Sequence, residues 1–379
     1  MSETTVFAAK RIVTMDPDLP EATHVAVRDG HILAVGGADC ADPWGGGLLD
    51  NSLGNAVLMP GFVEGHAHMM AGAMWRYAYA GYHDRLDPDG KLWRGMMTLD
   101  EVIAGLAEYE KGLGPGEPLV GWGFDPIFLE GERMGATHLD QISTERPIAI
   151  IFSNFHLLCA NSKALAMAGY DAGTNAEGVV KGFDGAPTGE LQEMAAMFPV
   201  MRRLGIDFRG LSQTPEAIRT YGQVAVRAGV TTATDLYSFL EDEDVATLIS
   251  VTDADDFPLR IVPALGAAGD PVEIAAKARR LAPQSTEKMR LGAVKLMTDG
   301  SIQGWTARVR WPGYVGGQPN GIWNTSPDEI HALCLEMQKQ GLQMHIHVNG
   351  DEAAEVSLNA IEAALRAYQN GRASCRERV

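Results

Sequence analysis

The sequence predicts an α/β protein built around a parallel barrel, with a smaller β-rich portion at the N-terminus. Helical segments alternate with short apolar strands from about residue 214 onward, and such alternation is typical of a parallel sheet. The chain has 379 residues, of which 46% are hydrophobic, enough to fill a barrel-sized core. A buried strand near residue 60 ends at a His-x-His pair, and parallel barrels carry their functional groups at the carboxyl ends of strands.

The first 56 residues predict a small β domain. Residues 24–28 and 31–35 alternate apolar and polar side chains on either side of Asp29-Gly30. Asp-Gly tolerates the positive φ angles of a type I′ turn, so this segment predicts a hairpin. We expect His24 and His31 to be surface or cross-strand residues and not ligands.

The apolar stretch from Val57 ends at His66 and His68. Residues i and i+2 of an extended chain point to the same side, so these two imidazoles can bind one metal ion. A bare His-x-His pair also occurs without function. Its position at the carboxyl end of a buried strand favours the metal site here.

Residues 70 to 213 interrupt the alternation. A capping box of Thr98 and Glu101 predicts a helix of about three turns. Two apolar strands and two polar, turn-rich surface loops are also predicted in this region: 119–125, 147–153, 161–165 and 184–190.

Three repeated units follow. Each begins with a polar N-cap and a proline in the first helical turn, and each passes through a short link into an apolar strand. The predicted strands of these units, with one more between the first two, are 230–235, 259–264, 291–296 and 342–348. A last amphipathic helix begins near Glu352, and its predicted apolar stripe is Ala354, Leu358, Ile361, Leu365 and Tyr368.

Two of these strands carry groups typical of a metal site. Lys295 lies inside an apolar strand, where an unpaired ammonium is costly to bury. Either its amine reaches a carboxylate or the barrel rim, or it has reacted with carbon dioxide to give a carbamate that can bind metal. His345 and His347 repeat the same-side spacing on the next strand, and we expect only one of them to be a ligand.

Three motifs, PGFVEGHAH at 60–68, VKLMTDG at 294–300 and HVNGDEA at 347–353, occur in an order that resembles the amidohydrolase superfamily. The similarity is greatest to the amidohydrolase-3 branch that includes N-substituted formamide deformylase. Other segments of that branch occur here in the same order: 161–165, 184–189 and 229–232. The resemblance implies a TIM-like metal-dependent hydrolase barrel, incomplete here with about five of eight strands. The implied domains are an N-terminal β-sandwich portion, the barrel and an insertion within it: 1–56, 57–369 and about 70–213.

The resemblance also implies the site. It assigns one or two Zn²⁺ ions to four ligands, with Lys295 as a carbamate: His66, His68, Lys295 and His347. His345 would be a neighbour of the metal. Three more residues are implied to face the substrate: His156, Trp122 and Asp299. The general base of the family is an aspartate that would follow the end of this chain, so no catalytic residue is assigned.

Residues 370–379 lack apolar periodicity and hold three arginines in the last eight positions. The family pattern would continue with a sixth strand bearing a histidine and an eighth bearing the aspartate. We therefore expect this tail to be non-native and the chain to be a fragment that is poorly soluble or inactive as written. A genuine short protein with a polar tail is the alternative.

Composition limits the class of partner. The net charge of −18 disfavours nucleic acids and anionic membranes. There is no membrane-length apolar run or N-terminal signal pattern, and the four cysteines are scattered, so we expect a soluble, cytoplasmic protein without disulfides. The possibility of a homodimer stays open.

The implied activity is hydrolysis of a non-peptide C–N bond, in an amide or formamide-like small molecule, by metal-activated water. Two alternatives remain. One is a hydrolase of the same superfamily acting on an ester or phosphoester, because a fold does not fix a function. The other is an inactive metal-binding or structural protein.

Overall fold

The computed structural model describes residues 3–131, 133–207 and 210–368. The chain divides into two compact units, one from Met1 to Val63 and one from Glu64 onward. The predicted boundary lay at residue 56. The predicted non-native tail, 370–379, lies outside the described residues. None of the described helices has the length and apolar character needed to cross a membrane.

The first unit contains one sheet of five strands with the order β3-β2-β1-β4, in which β5 also pairs with β1. Its strands are β1 (Thr5–Val13), β2 (Glu21–Arg28), β3 (His31–Gly36), β4 (Leu48–Asp50) and β5 (Val57–Leu58). The predicted hairpin is confirmed, because Asp29 and Gly30 have φ angles of 53° and 75°, as a type I′ turn requires. That this sheet belongs to a sandwich stays a prediction.

The second unit begins at Glu64, the last residue of β6, and continues into a region with its own sheet. Its elements are β6 (Phe62–Glu64), α1 (Met70–Ala73), β7 (Ala78–Tyr79), β8 (Arg85–Leu86), β9 (Leu92–Trp93), α2 (Leu99–Glu110), β10 (Leu119–Phe124), α3 (Ala136–Asp140), β11 (Ile148–Phe152), β12 (Leu157–Ala160), α4 (Ser162–Ala168), β13 (Val179–Lys181), β14 (Pro187–Gln192) and α5 (Glu193–Arg203). Six strands form a mixed sheet with the order β13-β14-β12-β11-β10-β7, which we call the insertion sheet. The predicted cap is confirmed, since the Thr98 hydroxyl accepts a hydrogen bond from the Glu101 N–H at the start of α2.

Of the two surface loops predicted in this region, the first is wrong, and the second is correct only for its turn at 184–186. Residues 162–168 form α4, and Asn161, its N-cap, is fully buried. The second segment leads into β14, whose Gly189, Glu190 and Leu191 are buried. Polar side chains are buried here because their hydrogen-bonding groups have partners inside the protein, which composition does not reveal.

The remaining elements alternate helix and strand. They are α6 (Gly210–Gln213), α7 (Pro215–Arg227), β15 (Val230–Ser238), α8 (Asp242–Thr252), β16 (Arg260–Gly266), α9 (Pro271–Leu281), β17 (Ala293–Met297), α10 (Pro327–Lys339), β18 (Met344–His347) and α11 (Asp351–Ala367). The strands form a half-barrel sheet with the order β18-β17-β16-β15-β6, in which β15 to β18 are parallel. The predicted N-caps Thr214, Asp270 and Ser326 each accept a backbone hydrogen bond. Helix α8 was not predicted.

The buried face of α11 differs from the predicted stripe. Its buried residues are Ala353, Ser357, Ala360 and Ala364. Leu358, the second residue of the predicted stripe, is 65% exposed, whereas Ile361 at its centre is partly buried and packs against the apolar cluster of this half of the chain. Ala360 and Ala364 share an apolar cluster with Leu333 of α10, because small side chains let two helices approach closely. Helical periodicity alone did not identify the face that packs.

Candidate functional site

The His-x-His pair follows β6, whose three residues are exposed and not buried as predicted, and it is held against β15. The N–H of Met69 donates to the carboxylate of Asp235 at 2.8 Å, and the carbonyl of Ala67 accepts from the N–H of Leu236 at 2.9 Å. The rings of His66 and His68 lie 5.6 Å apart between centroids. Hydrogen bonds on both sides of His68 therefore fix the backbone that carries the pair.

Asp235 is a residue of this site that the sequence did not single out. Its carboxylate accepts from Met69 and from the hydroxyl of Ser238 at 2.5 Å, and only 3% of the residue is exposed. Burial raises the pKa of Asp235 above its ordinary value. The sequence signal that could have identified Asp235 was its position: it lies in the carboxyl half of β15 and is the last residue of the predicted strand.

Lys295 and the second histidine pair lie on neighbouring parallel strands. In the β17–β18 register Lys295 is opposite His345, and Met297 is opposite His347. Opposed residues of a parallel pair, and residues two apart on one strand, share a face of the sheet. The register therefore directs Lys295, His345 and His347 to the same side.

Burial, the only resolved cause, lowers the pKa of Lys295 to about 8, and the residue is 3% exposed. Within the described part of the chain, no hydrogen bond or ion pair reaches its amine. The alternative in which the amine pairs with a carboxylate is therefore not what the structure contains. With this pKa about a tenth of the amine is unprotonated at pH 7, and carbon dioxide reacts with that form.

One cavity of about 750 Å³ brings the four predicted ligands together. Its lining includes His66, His68, Lys295 and His347, with His156 facing them. Burial is the main cause that lowers the pKa of His68 to about 4, and it also lowers the pKa values of His66 and His347. These imidazoles are therefore neutral at pH 7, so each keeps the lone pair that a metal needs.

The four predicted ligands fit a divalent metal on the condition that Lys295 is a carbamate. Across the described ranges, no three His, Cys, Asp or Glu side chains are grouped so that they could hold a metal ion. The predicted set adds Lys295, whose carbamate would supply an anionic oxygen among neutral imidazoles. Imidazole nitrogen together with carboxylate-type oxygen is a ligand combination that suits zinc.

His156 lies in the turn between β11 and β12 of the insertion sheet. Its ring centroid is 5.0 Å from that of His347, and its Nδ1 is 2.9 Å from a carboxylate oxygen of Glu193. The insertion sheet thus contributes a histidine to the same cavity as the half-barrel sheet. Glu193, its partner, was not identified from the sequence.

Trp122 is placed elsewhere, which corrects its assignment as a substrate-facing residue. It is 6% exposed and packs against Trp75 and Tyr79, with ring centroids 4.9 and 5.2 Å away. It is not among the residues that line the cavity. Trp122 belongs to the aromatic core on one face of the insertion sheet. Its strand, β10, lies between β11 and β7 in that sheet.

Asp299 is likewise a structural residue and not a substrate ligand. It is fully buried, and its carboxylate accepts from the backbone N–H groups of Arg308, Asn349 and Gly350 at 2.9, 3.0 and 2.8 Å. These bonds join the segment after β17 to the start of α11. With the Thr298 hydroxyl at 3.3 Å, each carboxylate oxygen accepts two hydrogen bonds from within the protein, and Asp299 is not among the residues that line the cavity.

Comparison with known proteins agrees with this architecture. The chain is 27% identical over 374 residues to Protein LONG AFTER FAR-RED 3 of Arabidopsis thaliana, covering 94% of this chain and 60% of that protein. It is 24% identical to N-substituted formamide deformylase of Arthrobacter pascens, covering 93% of this chain and 64% of that protein. The chain thus spans less than two thirds of the length of these relatives.

Among solved structures, an uncharacterized metal-dependent hydrolase from Pyrococcus horikoshii OT3 has the same fold. The TM-score is 0.62 at 19% identity, covering 95% of this chain and 68% of the other. Residues 51–378 match the amidohydrolase family. On the strength of that match, which takes in the His-x-His pair, Lys295 and His347, the chain belongs to the amidohydrolase family.

Proposed function

We propose that this protein is a metal-dependent hydrolase that cleaves a C–N bond in a small amide or formamide-like substrate. The observation that carries the proposal is that one cavity collects four residues from separate parts of the chain: His66 and His68 after β6, Lys295 within β17 and His347 at the end of β18. The name of the Arthrobacter pascens relative, which describes it as a deformylase of N-substituted formamides, supports a C–N bond as the target.

The four ligands would hold one or two Zn²⁺ ions. Zinc supplies Lewis acidity and makes water a nucleophile near neutral pH. The histidines are kept neutral by burial, so they need not lose protons before they bind. At Lys295 the free amine nitrogen would form a bond to the carbon of carbon dioxide and release one proton, giving the carbamate.

The walls of the cavity have a second role. Several of its lining side chains are apolar or aromatic, including Phe155, Tyr237, Phe239 and Met297. Such walls bind the uncharged part of a small molecule and displace water from the reacting bond. Asp235, through Met69, holds the backbone next to His68 in place while the substrate binds.

The first experiment measures metal content and turnover on the same samples. The 379-residue chain, loaded with Zn²⁺ in the presence of bicarbonate, is assayed on an amide, a formamide, an ester and a phosphoester that share one aromatic group. We expect about one or two zinc ions per chain, and whatever turnover is detected should be fastest at the C–N bonds. His66→Ala should lower zinc affinity and turnover at least about 100-fold.

The matched control is His331→Ala, because His331 is exposed on α10 and outside the cavity. It should retain full zinc content. Hydrolysis of the ester with none of the amide or formamide would contradict the proposed bond class. Zinc content that survives His66→Ala would remove the proposed metal site.

The carbamate has its own test. Removal of carbon dioxide before reconstitution should lower zinc occupancy, and added bicarbonate should restore it. Lys295→Glu places a carboxylate near the same position, so its zinc occupancy should no longer depend on bicarbonate. If the unaltered chain binds zinc equally with and without carbon dioxide, Lys295 is not a carbamate ligand.

A further inference from the structure

Strand β15 contains one residue more than its neighbour β16 near the cavity. Leu236 is opposite Ala264 in the register of the two strands. The next pair is Ser238 and Leu265, so Tyr237 is the extra residue of a β-bulge. Its φ angle is 86°, in a region that a bulky side chain rarely adopts. Because bulges are frequent beside functional sites, where they redirect a side chain, Tyr237 is a candidate functional residue.

A glycine on the neighbouring strand makes room for the ring of Tyr237. A Cβ atom on Gly266 of β16 would lie 2.8 Å from Cε1 of this ring, which is too close for two atoms that are not bonded. The ring thus occupies the space into which a side chain at position 266 would project. Gly266 is opposite Lys295 in the register of β16 and β17, and opposed residues of a parallel pair share a face. The ring of Tyr237 therefore lies on the face of the sheet from which Lys295 projects.

The hydroxyl of Tyr237 is a hydrogen-bond donor without a partner in the described protein. The residue is partly buried and lines the cavity. No hydrogen bond joins this hydroxyl to any residue of 3–131, 133–207 or 210–368. The buried side-chain atoms that lack a partner in these ranges belong to other residues, so the hydroxyl oxygen is accessible to solvent. Burial raises the pKa of Tyr237, which keeps the phenol protonated at neutral pH and able to donate.

The chemistry of the proposed substrate decides which atom such a donor meets. In a simple amide the nitrogen lone pair is delocalised, so the carbonyl oxygen is the hydrogen-bond acceptor. Addition of hydroxide to the carbonyl carbon forms a C–O bond and moves the π electron pair of the carbonyl onto its oxygen, which becomes an anion. Hydrogen bonds to a charged oxygen are stronger than those to a neutral one, so a donor at this oxygen stabilises the transition state more than the bound substrate.

We propose that the Tyr237 hydroxyl donates a hydrogen bond to the carbonyl oxygen of the substrate and stabilises the negative charge that develops there during hydrolysis. The inference rests on the proposed function and adds a catalytic residue to it. Gly266 is a positioning residue, since it acts only through the space that it leaves for the ring of Tyr237. The sequence did not single out either residue, because the bulge is a property of the pairing between β15 and β16.

The test measures the binding of two ligands, so that it does not depend on turnover. N-benzylacetamide resembles the substrate, and benzyl methylphosphonate, a stable tetrahedral anion, resembles the adduct of that amide with hydroxide. Binding of each to the zinc-loaded 379-residue chain is measured by calorimetry, and zinc content and amide hydrolysis are measured on the same samples. In Tyr237→Phe we expect binding of the phosphonate to weaken about 100-fold and binding of the amide about 5-fold, with unchanged zinc content.

Three further variants separate the hydroxyl from its position and from general stability. Tyr82→Phe is the matched control, because it removes the hydroxyl of a partly buried tyrosine outside the cavity and should leave both affinities unchanged. Gly266→Ala keeps the hydroxyl but displaces the ring, so it should weaken phosphonate binding at least about 10-fold more than amide binding. Gly36→Ala, where the nearest atom to an added Cβ is 3.5 Å away, should change neither affinity. A destabilised fold would weaken both ligands alike, so the ratio of the two affinities reports the hydrogen bond.

Each outcome decides the inference. Unchanged phosphonate binding in Tyr237→Phe, equal weakening of both ligands, or no phosphonate binding to the unaltered chain overturns it. A loss of zinc in Tyr237→Phe as large as that in His66→Ala also overturns it, because the hydroxyl would then act on the metal site. Selective loss of phosphonate binding in Tyr237→Phe, observed without hydrolysis of any amide, supports the inference while the proposed hydrolytic function fails. Amide hydrolysis that is unaffected by Tyr237→Phe overturns the inference and leaves that function standing.

Discussion

Replacement of Asp299 by alanine should destabilise the protein by about 3 kcal/mol, because it removes the acceptor of three backbone N–H groups, each worth about 1 kcal/mol or more when left unpaired. Those groups belong to Arg308, Asn349 and Gly350, at distances of 2.8 to 3.0 Å from the carboxylate. Gly350 is the most deeply buried of the three and should contribute most. Asp299→Asn keeps one carbonyl oxygen and should cost about 2 kcal/mol.

Urea unfolding followed by circular dichroism and tryptophan fluorescence measures these differences in the free energy of unfolding. The matched control is Asp255→Ala, because Asp255 is exposed and has no hydrogen bond or ion pair to another described residue. The free energy of unfolding of Asp255→Ala should stay within about 0.5 kcal/mol of that of the unaltered chain.

An Asp299→Ala variant that is no less stable than Asp255→Ala would refute the assignment of Asp299 as a structural acceptor. Unchanged stability together with a raised KM would restore the role implied by the resemblance, in which Asp299 contacts substrate. Asn349 and Gly350, which Asp299 holds, follow His347 in the chain. Asp299→Ala should therefore also weaken zinc binding, while Asp255→Ala should not.

Two further results are expected. Asn161→Ala should lower the free energy of unfolding by about 3 kcal/mol in the same urea assay, since its side chain accepts two buried hydrogen bonds and donates two part-buried ones. The control Asn359→Ala, at an exposed position of α11, should change this free energy little. In the metal-free chain the pKa of His68 is about 4 in the folded state and about 6.5 in the unfolded state. As the pH falls, the unfolded state therefore binds the proton first. The free energy of unfolding must fall as the pH drops from about 6.5 to about 4. After solvent screening the loss should be roughly 2 kcal/mol, and a His68→Gln variant should show a correspondingly weaker pH dependence of its urea midpoint; an equally steep dependence would contradict the assignment.

The sequence predicted secondary structure correctly where it depends on interactions between residues close together in the chain. The Asp29-Gly30 hairpin and the N-cap at Thr98 depend on backbone angles and hydrogen bonds within about four residues. The strands that carry Lys295 and His347 were predicted by apolar runs, and their side-chain direction follows from the two-residue repeat of a strand. These features need no knowledge of distant parts of the chain.

The candidate site was predicted in part, because some of its residues follow from local spacing in the sequence. The ligand candidates His66, His68, Lys295 and His347 were chosen by spacing and by resemblance, and the structure places all four around one cavity. Their role as metal ligands stays a prediction. Asp235 was missed because its importance depends on Met69, which is 166 positions away in the chain.

The sequence by itself determined most helices and strands after residue 214, the Asp29-Gly30 turn, the helix N-caps and the residue types at the carboxyl ends of the strands, but not α4 or α8. Only the tertiary structure decided which polar groups are buried with partners, as at Asp299 and Asn161, and which face of α11 packs. It also decided that His156 meets Glu193 at the cavity while Trp122 joins an aromatic core. The physical reason is that propensities and periodicity act over a few neighbouring residues, whereas burial and hydrogen-bond partners depend on segments that only folding brings together.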